Sequence, residues 1–154
     1  MITDHDNTFD LNRFTDAQAG VYETAYAELK SGQKRTHWMW YIFPQIDGLG
    51  RSKTAKYYAI KSMEEARQYL KHPVLGARLL ECAEGVLAIN GRTASEIFGY
   101  PDDLKLKSSM TLFASVATSG SVFVRVLDKY YFGEQDERTV QLSEQLHRNK
   151  RSLP

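Results

Sequence analysis

The sequence predicts a mainly α-helical protein, a single compact domain of six to eight helices with at most a minor strand pair. Apolar residues recur at helical spacing along most of the chain. Residues that cap or end helices flank these segments. One stretch, residues 38–43, fits a buried strand, but no second stretch of similar quality could pair with it. The helical fold class therefore follows from pattern and punctuation together.

Two helices are expected in the first sixty residues. The first begins after Asp10, which can cap a helix, and ends at Gly32. The second covers about Ser52 to Ile60, after the Gly48-Leu49-Gly50 turn. The aromatic run at 38–43 lies between them and fits a buried strand or a buried helical turn equally well, because six consecutive bulky residues show neither period.

Helix-start signals mark the rest of the chain. Residues 62–65 (Ser-Met-Glu-Glu) and 93–96 (Thr-Ala-Ser-Glu) match the capping box, in which two side chains satisfy backbone N–H groups at a helix start. Gly99 and Gly133 are placed to end two helices. The helices of this region are expected to begin near Ser62, Pro73, Thr93, Asp102 or Asp103, Ser121 and Glu137.

Length and termini suggest a simple domain organisation. A chain of 154 residues fits one domain. We expect a loose N-terminal tail at 1–8, a helical domain at 9–147 and a basic C-terminal tail at 148–154. No internal repeat or low-complexity segment interrupts this pattern.

Composition argues against several functional classes. The formal net charge of +1 disfavours a protein that depends on bulk attraction to nucleic acid. A single cysteine, Cys82, excludes an internal disulfide framework. The sequence has no apolar run of the ~20 residues that a membrane span needs. No His, Cys, Asp or Glu cluster has metal-ligand spacing, so neither a metal nor a cofactor is expected. A cytoplasmic protein is the resulting expectation.

The turn at residues 48–53 is a candidate anion site. Gly48 and Gly50 allow a ligand close to the backbone, and the N–H groups of a following helix attract anions. Arg51 and Lys53 add positive charge, and Ser52 adds a hydroxyl. The turn lacks the third glycine and the βαβ context of a dinucleotide fingerprint. The alternative is an ordinary turn with a serine cap.

The aromatic run contributes a second group of candidates. Trp38 and Trp40 could stack on a planar ligand, and His37 could act as an acid, a base or a donor. Neighbouring side chains diverge in direction, so some of these rings face away from the core. The alternatives are rings that fill the core and a histidine hydrogen-bonded to the backbone.

A third group lies at residues 102–111, a polar helix start. Lys105 can share a helix face with Ser108 or Ser109, and a serine beside a lysine can form a nucleophile and its base. The alternative is a solvated first turn in which Asp102 and Asp103 serve the helix dipole.

Four segments of the chain resemble domain of unknown function family 1810. The matching segments are 37–45 (His-Trp-Met-Trp-Tyr-Ile-Phe-Pro-Gln), 48–52 (Gly-Leu-Gly-Arg-Ser), 72–79 (His-Pro-Val-Leu-Gly-Ala-Arg-Leu) and 103–113 (Asp-Leu-Lys-Leu-Lys-Ser-Ser-Met-Thr-Leu-Phe). The resemblance spans roughly residues 9–146 and implies a small helical fold without implying an activity. Members are sometimes labelled calpastatin-like. That label is rejected because the chain has no disordered inhibitor repeat.

A more distant likeness is to the NADAR domains, which act on N-glycosides of the ADP-ribose type. The order of motifs is similar, but the residue motifs do not align position by position. No catalytic residue is therefore transferred. The likeness implies a nucleotide-like ligand and, for an enzyme, an N-glycosidase-like hydrolase.

Three functions follow as hypotheses. The first is binding or processing of an ADP-ribose-like or other phosphorylated nucleoside. It requires the glycine turn and the helix start at 102–111 to converge in one cleft, with at least one tryptophan ring exposed there. The second is a non-catalytic protein-interaction module, with a homo-oligomer as one form, which requires an exposed apolar patch. The third is single-stranded nucleic-acid binding, which the near-neutral net charge disfavours.

Overall fold

The computed structural model describes residues 9–151, with side chains described for residues 9–148. The helices of this part are α1 (Asn12–Gln18), α2 (Tyr22–Ser31), α3 (Met39–Ile42), α4 (Lys53–Tyr58), α5 (Met63–Lys71), α6 (Leu75–Ala88), α7 (Ala94–Phe98), α8 (Asp102–Ala114), α9 (Val122–Tyr131) and α10 (Glu137–Arg151). Between residues 9 and 151 there is no strand, and an isolated bridge joins Ile46 and Ile60. The mainly α-helical class is confirmed, whereas the expected six to eight helices were too few.

The predicted helix from Asp10 to Gly32 is in fact two helices. The chain leaves helical geometry at Ala19, and Gly20 adopts a φ of +75°, so α2 starts afresh. Gly32 ends α2 in the left-handed conformation, as predicted. The Asp10 cap was wrong, because α1 begins after Leu11 without a side-chain cap bond.

The aromatic run forms a helical turn. Ile42 N–H donates to Trp38 O at 3.1 Å, and Phe43 N–H donates to Met39 O at 3.1 Å. These bonds are satisfied within the segment, so it needs no partner strand. The resulting α3 was not counted among the expected helices.

The two capping boxes differ in outcome. Thr93 Oγ1 accepts from Glu96 N–H at 3.0 Å, and Glu96 Oε1 accepts from Thr93 N–H at 2.8 Å. These two bonds confirm the capping box at 93–96. Ser62 Oγ accepts from Glu65 N–H at 3.0 Å. The Glu65 carboxylate, however, accepts from Lys61 N–H at 2.7 Å, so the reciprocal bond falls one residue early.

Other helix starts use groups that the pattern did not indicate. His72 Nδ1 accepts from the N–H groups of Val74 and Leu75, both at 3.1 Å, so α6 begins after Pro73 rather than at it. The N-cap residue of α8 is Pro101, so the expected cap by Asp102 or Asp103 was wrong, although Asp103 Oδ1 accepts from Leu104 N–H at 2.9 Å. Both acids lie in its first turn instead, where their charge complements the helix dipole.

A chain of aromatic rings connects four helices through the core. Phe14 of α1 meets Tyr69 of α5 edge-on, with ring centroids 5.0 Å apart. Tyr69 lies 5.4 Å from Phe113 of α8, which lies 5.8 Å from Phe123 of α9. All four rings are fully or almost fully buried. This core fixes α8, the helix that carries Lys105 on its first turn.

A buried arginine joins α1 to the segment after α4. The Arg13 guanidinium donates to Tyr57 O at 2.8 Å and to Ala59 O at 2.9 Å. Its Nη2 also lies 2.8 Å from Glu65 Oε2, an ion pair whose N–H direction is not aligned for a hydrogen bond. Arg13 therefore links the N-terminal helix to α4 through its hydrogen bonds and to α5 through the ion pair.

The predicted tails are not described by this structure. Residues 1–8 and 152–154 lie outside the described residues, and α10 extends to Arg151 across the predicted boundary at 147. Those domain limits stay predictions. None of the helices within residues 9–151 is both long and apolar enough to cross a membrane.

Gly76 and Gly85 of α6 provide a matched test of packing. A Cβ at Gly76 would lie 2.0 Å from Leu70 O, whereas one at Gly85 would meet side chains at 3.8 Å or more. We expect Gly76→Ala to destabilise the protein by on the order of 1–3 kcal/mol through overpacking. Gly85→Ala should be neutral or stabilise by up to ~1 kcal/mol through helix propensity. Urea unfolding measures both, and equal effects would contradict this packing argument.

Candidate functional site

One buried carboxylate shapes the loop that leads to both tryptophans. Glu28 Oε1 accepts from Arg35 N–H at 2.8 Å, Thr36 N–H at 3.1 Å and Trp38 Nε1–H at 2.9 Å. Its Oε2 accepts from the Thr36 hydroxyl at 2.6 Å. The loop from Gln33 to Trp38 is therefore folded around the C-terminal half of α2.

The pKa of Glu28 reflects these bonds. Burial raises it, but the hydrogen bonds from Thr36, Arg35 and Trp38 together lower it more, and the result is a pKa lowered from 4.5 to about 2. The carboxylate is thus charged across the physiological range and acts as a fixed acceptor.

The two tryptophans have different environments. Trp38 is 1% exposed and packs near Phe43 and Phe98, with centroid distances of 6.2 and 6.5 Å. It belongs to the core. Trp40 is half-buried, so it is the indole that a ligand could reach.

Trp40 is the point at which the glycine turn and the α8 start meet. The Lys105 Nζ lies 4.2 Å from the centroid of a Trp40 ring. A Cβ placed on Gly50 would lie 3.6 Å from Trp40 Cη2. Residues far apart in the sequence therefore share one indole, although the cavity beside it, of about 10 Å³, is not the cleft that the first hypothesis requires.

Asp102 links two lysines behind this indole. Its Oδ2 lies 2.8 Å from Lys34 Nζ, and its Oδ1 lies 3.2 Å from Lys105 Nζ. The Lys34 side chain is 6% exposed and its Nζ lies 5.0 Å from the Trp38 ring centroid. Burial raises the pKa of Asp102, but the two ammonium groups lower it by a larger amount, so the pKa lies below its usual range. The cluster carries a net charge of +1, from two cations and one anion.

The remaining residues of the glycine turn play local roles or face solvent. Ser52 Oγ accepts from Ala55 N–H at 3.0 Å and caps α4. This is the serine cap that the alternative interpretation of the turn predicted. Arg51 and Lys53 are exposed and form no ion pair with another described residue. Gly48 has a φ of +107° and faces the Leu142 side chain.

The two serines of α8 do not form a pair with Lys105. Ser108 Oγ donates to Leu104 O at 3.2 Å. Ser109 is fully buried, and its Oγ has no partner among the described residues. The Lys105 ammonium contacts Asp102 instead. The geometry of a serine nucleophile with a lysine base is therefore not formed here.

His37 lies in the loop from Gln33 to Trp38, with its side chain unbonded to other described residues. Its ring is exposed, and its carbonyl oxygen accepts from the Tyr41 hydroxyl at 3.2 Å. Its side chain bonds to none of the residues that the structure describes, so the expected backbone hydrogen bond is not formed there.

The cavity at Trp40 is too small to enclose a ligand. The cavity that Trp40 lines with Gln45, Gly50 and Tyr58 has a volume of about 10 Å³, which is about the volume that one water needs. An open groove of about 680 Å³ lies between α2 and α6, and it includes none of the predicted site residues. A ligand at Trp40 would therefore lie on the surface.

Comparison with known proteins agrees with the sequence and the fold. The model of a family described as a protein of unknown function, DUF1810, matches residues 8–143. The chain belongs to the DUF1810 family. The crystal structure of the conserved hypothetical protein Rv1873 from Mycobacterium tuberculosis is similar, with a TM-score of 0.87 and 54% identity over 88% of this chain and 97% of that chain. A search of curated proteins found no match.

Two members of the cluster in this DUF1810 protein were not among the predicted site residues. Lys34 precedes the aromatic run, and Asp102 was interpreted as a helix cap or a dipole partner. An acid three residues before Lys105 was the available signal, since i and i+3 side chains meet on a helix. Nothing local indicated that Lys34 would reach the same carboxylate.

Metal and thiol chemistry find little support in the described residues. No group of three or more His, Cys, Asp or Glu side chains among residues 9–148 is placed to hold a metal ion. Cys82 is fully buried, and burial raises the pKa of its thiol to about 12. A buried thiol with a raised pKa is unreactive.

The bonds to Glu28 predict a pH-dependent contribution to stability. Glu28→Gln would turn an amide toward donors that need an acceptor, so we expect a loss of about 1–3 kcal/mol at pH 7. Because folding lowers this pKa, the ionised group stabilises the protein above about pH 4.5, and the contribution is lost as pH falls toward about 2. Urea unfolding at several pH values should show the difference between variant and parent shrinking in that window.

Glu23→Gln is the matched control, since Glu23 is an exposed acid on the first turn of the same helix. Its effect should stay within ~0.5 kcal/mol. A Glu28→Gln difference that does not change between pH 7 and the acid window would contradict the role given to the carboxylate.

Proposed function

We propose that this protein binds a phosphorylated nucleoside, of the ADP-ribose type or simpler, on the surface around Trp40. The observation that carries the proposal is the position of the Lys105 ammonium, 4.2 Å from the centroid of the Trp40 ring. A planar base and an anionic group need an aromatic surface and a cation side by side. Trp40 and Lys105 supply both.

The charge around Trp40 supports an anionic ligand. Lys105 lies on the first turn of α8, a helix of 13 residues, where a cation opposes the helix dipole. Its placement there is locally unfavourable, and Asp102 and Asp103 offset it. Arg51 and Lys53, on the turn that touches Trp40, add exposed positive charge without ion-pair partners among the described residues. A phosphate would therefore enter a region of positive potential.

The shape of the site sets the expected affinity. Since the cavity at Trp40 is too small to enclose a base, a ligand would stack on the exposed part of the indole, a contact worth about 1–3 kcal/mol. Lys105 must move off the indole face for a base to stack there. Its flexible side chain permits this, because the ammonium is held only by a partly exposed ion pair and by its contact with the ring. The proposal is for binding; an N-glycosidase-like reaction stays a prediction.

A protein-interaction role is the second candidate, and one residue favours it. Phe132 is 95% exposed and adopts a φ of +58°, a conformation unfavourable for a bulky residue. The Tyr131 hydroxyl donates to Asp103 O at 2.5 Å, which brings the end of α9 to the start of α8. Leu104, 48% exposed, lies at the same end. A second copy of the chain could bury these side chains.

Phe132→Gly tests whether the surface around Phe132 joins two copies of the chain. Glycine removes the apolar side chain and relieves the left-handed backbone, so the variant should be at least as stable as the parent. If the surface joins two copies, sedimentation of the parent should show concentration-dependent association that the variant loses. Association of equal strength in both proteins, or a monomeric parent, would remove the surface from consideration.

Calorimetric titration with ADP-ribose tests the leading proposal. We expect saturable binding to the parent protein and about tenfold weaker binding to Lys105→Gln, equivalent to about 1.4 kcal/mol. Lys107→Gln is the matched control. Lys107 lies on the same helix, but its Nζ lies 5.9 Å from the Tyr131 ring centroid and 3.7 Å from Glu134 Oε1. Arg51→Ala should also weaken binding if the glycine turn contributes.

If the titration of the parent protein shows no heat of binding, the proposal is overturned and the protein-interaction role becomes the leading hypothesis. Equal weakening by Lys105→Gln and Lys107→Gln would indicate bulk charge rather than a site at Trp40. Quenching of the accessible Trp40 by the ligand provides a second readout, since Trp38 is buried.

A further inference from the structure

The three charged groups behind Trp40 are not equivalent. Lys34 is 6% exposed and lies 2.8 Å from Asp102 Oδ2, whereas Lys105 is 23% exposed and lies 3.2 Å from Oδ1. Lys34 and Asp102 thus form a close pair that is neutral by itself, with the lysine side chain buried and the aspartate 19% exposed. Lys105 is the surplus cation, on the outer and longer contact.

This asymmetry determines which contact can be exchanged. Separating Lys34 from Asp102 would leave a buried ammonium without its anion, which is strongly unfavourable. Separating Lys105 from Asp102 leaves each group satisfied, because Asp102 keeps Lys34 and Lys105 is open to solvent or to another anion. The Lys105–Asp102 contact is therefore the one that a ligand can replace.

We propose that Asp102 is an internal counter-anion, which the phosphate of the ligand displaces from Lys105 while the Lys34–Asp102 pair stays intact. This inference rests on the proposed function and adds a residue that sets the affinity of the site. The Asp102 carboxylate does not contact the ligand in a favourable way. It competes with the ligand for one ammonium group and repels the phosphate that approaches it.

Replacing Asp102 should change the ligand affinity in the direction opposite to that expected when an ordinary binding residue is replaced. Removing the Asp102 charge should tighten the binding of a phosphorylated nucleoside and leave the binding of the neutral nucleoside unchanged. A partly exposed ion pair is worth little, so the expected change is roughly fivefold. If Asp102 instead positioned Lys105 for the ligand, the same change would weaken binding.

The experiment compares AMP with adenosine by calorimetry at one ionic strength. Asp102→Asn should bind AMP roughly fivefold more tightly than the parent protein, with adenosine unchanged. Asp103→Asn is the matched control, because Asp103 lies on the same helix turn but forms no ion pair with a described lysine. It removes the same charge from the same helix end and should change AMP binding by less than about twofold.

A double variant, Lys34→Met with Asp102→Asn, guards against misfolding of the single variant. Replacing a buried ion pair as a unit is often neutral for stability. The double variant keeps the +1 charge of the cluster, since one cation and one anion leave together, but it frees Lys105 from its competitor. It should also bind AMP more tightly than the parent protein does, and circular dichroism confirms that each variant is folded.

The possible outcomes distinguish a failure of the Asp102 inference from a failure of the proposed function. Parent binding of AMP with no tightening in the folded variants, or with weaker binding, overturns the inference and leaves the proposed function standing. Equal tightening by Asp103→Asn, or tightening for adenosine too, also overturns it. No binding of AMP or ADP-ribose by any of these proteins overturns the proposed function, and the inference with it.

Discussion

The site depends on the acceptor bonds of one carboxylate, Glu28. Its four short hydrogen bonds hold Thr36 and the Trp38 indole and fold the loop after α2. With Trp38 held in the core, the helical turn α3 places Trp40 about half a turn further round, toward the surface. The same loop carries Lys34 to Asp102. A buried acceptor thus sets the direction of two rings and one cation.

Each tryptophan of this protein is paired with a lysine, and one aspartate joins the pairs. Lys34 lies near the Trp38 ring in the interior, and Lys105 lies near the Trp40 ring at the surface. The inner pair has a structural role, because its cation is almost fully buried. The outer pair remains accessible. The two lysine–tryptophan pairs are alike in composition, and their difference in burial makes one a part of the core and the other a candidate binding surface.

Much of the fold could be predicted because local interactions decide it. The capping box at Thr93 and the left-handed glycine at Gly32 involve atoms within a few residues of each other, so sequence spacing suffices to identify them. The break at Gly20 was missed because a glycine inside a helical pattern is compatible with either outcome. The α6 start was misplaced because the acceptor, a ring nitrogen of His72, is not a usual cap.

For the site, the sequence by itself identified Trp40, Gly50 and Lys105 as candidates, since aromatic, glycine and cationic residues in polar surroundings are visible in one dimension. Which of them meet was decided only by the tertiary structure. The directions of Trp38 and Trp40 follow from the acceptor at Glu28 and not from their own neighbours. The partnership of Lys34 and Asp102 joins residues far apart in the chain, and electrostatic contacts of that kind leave no periodic trace in the sequence.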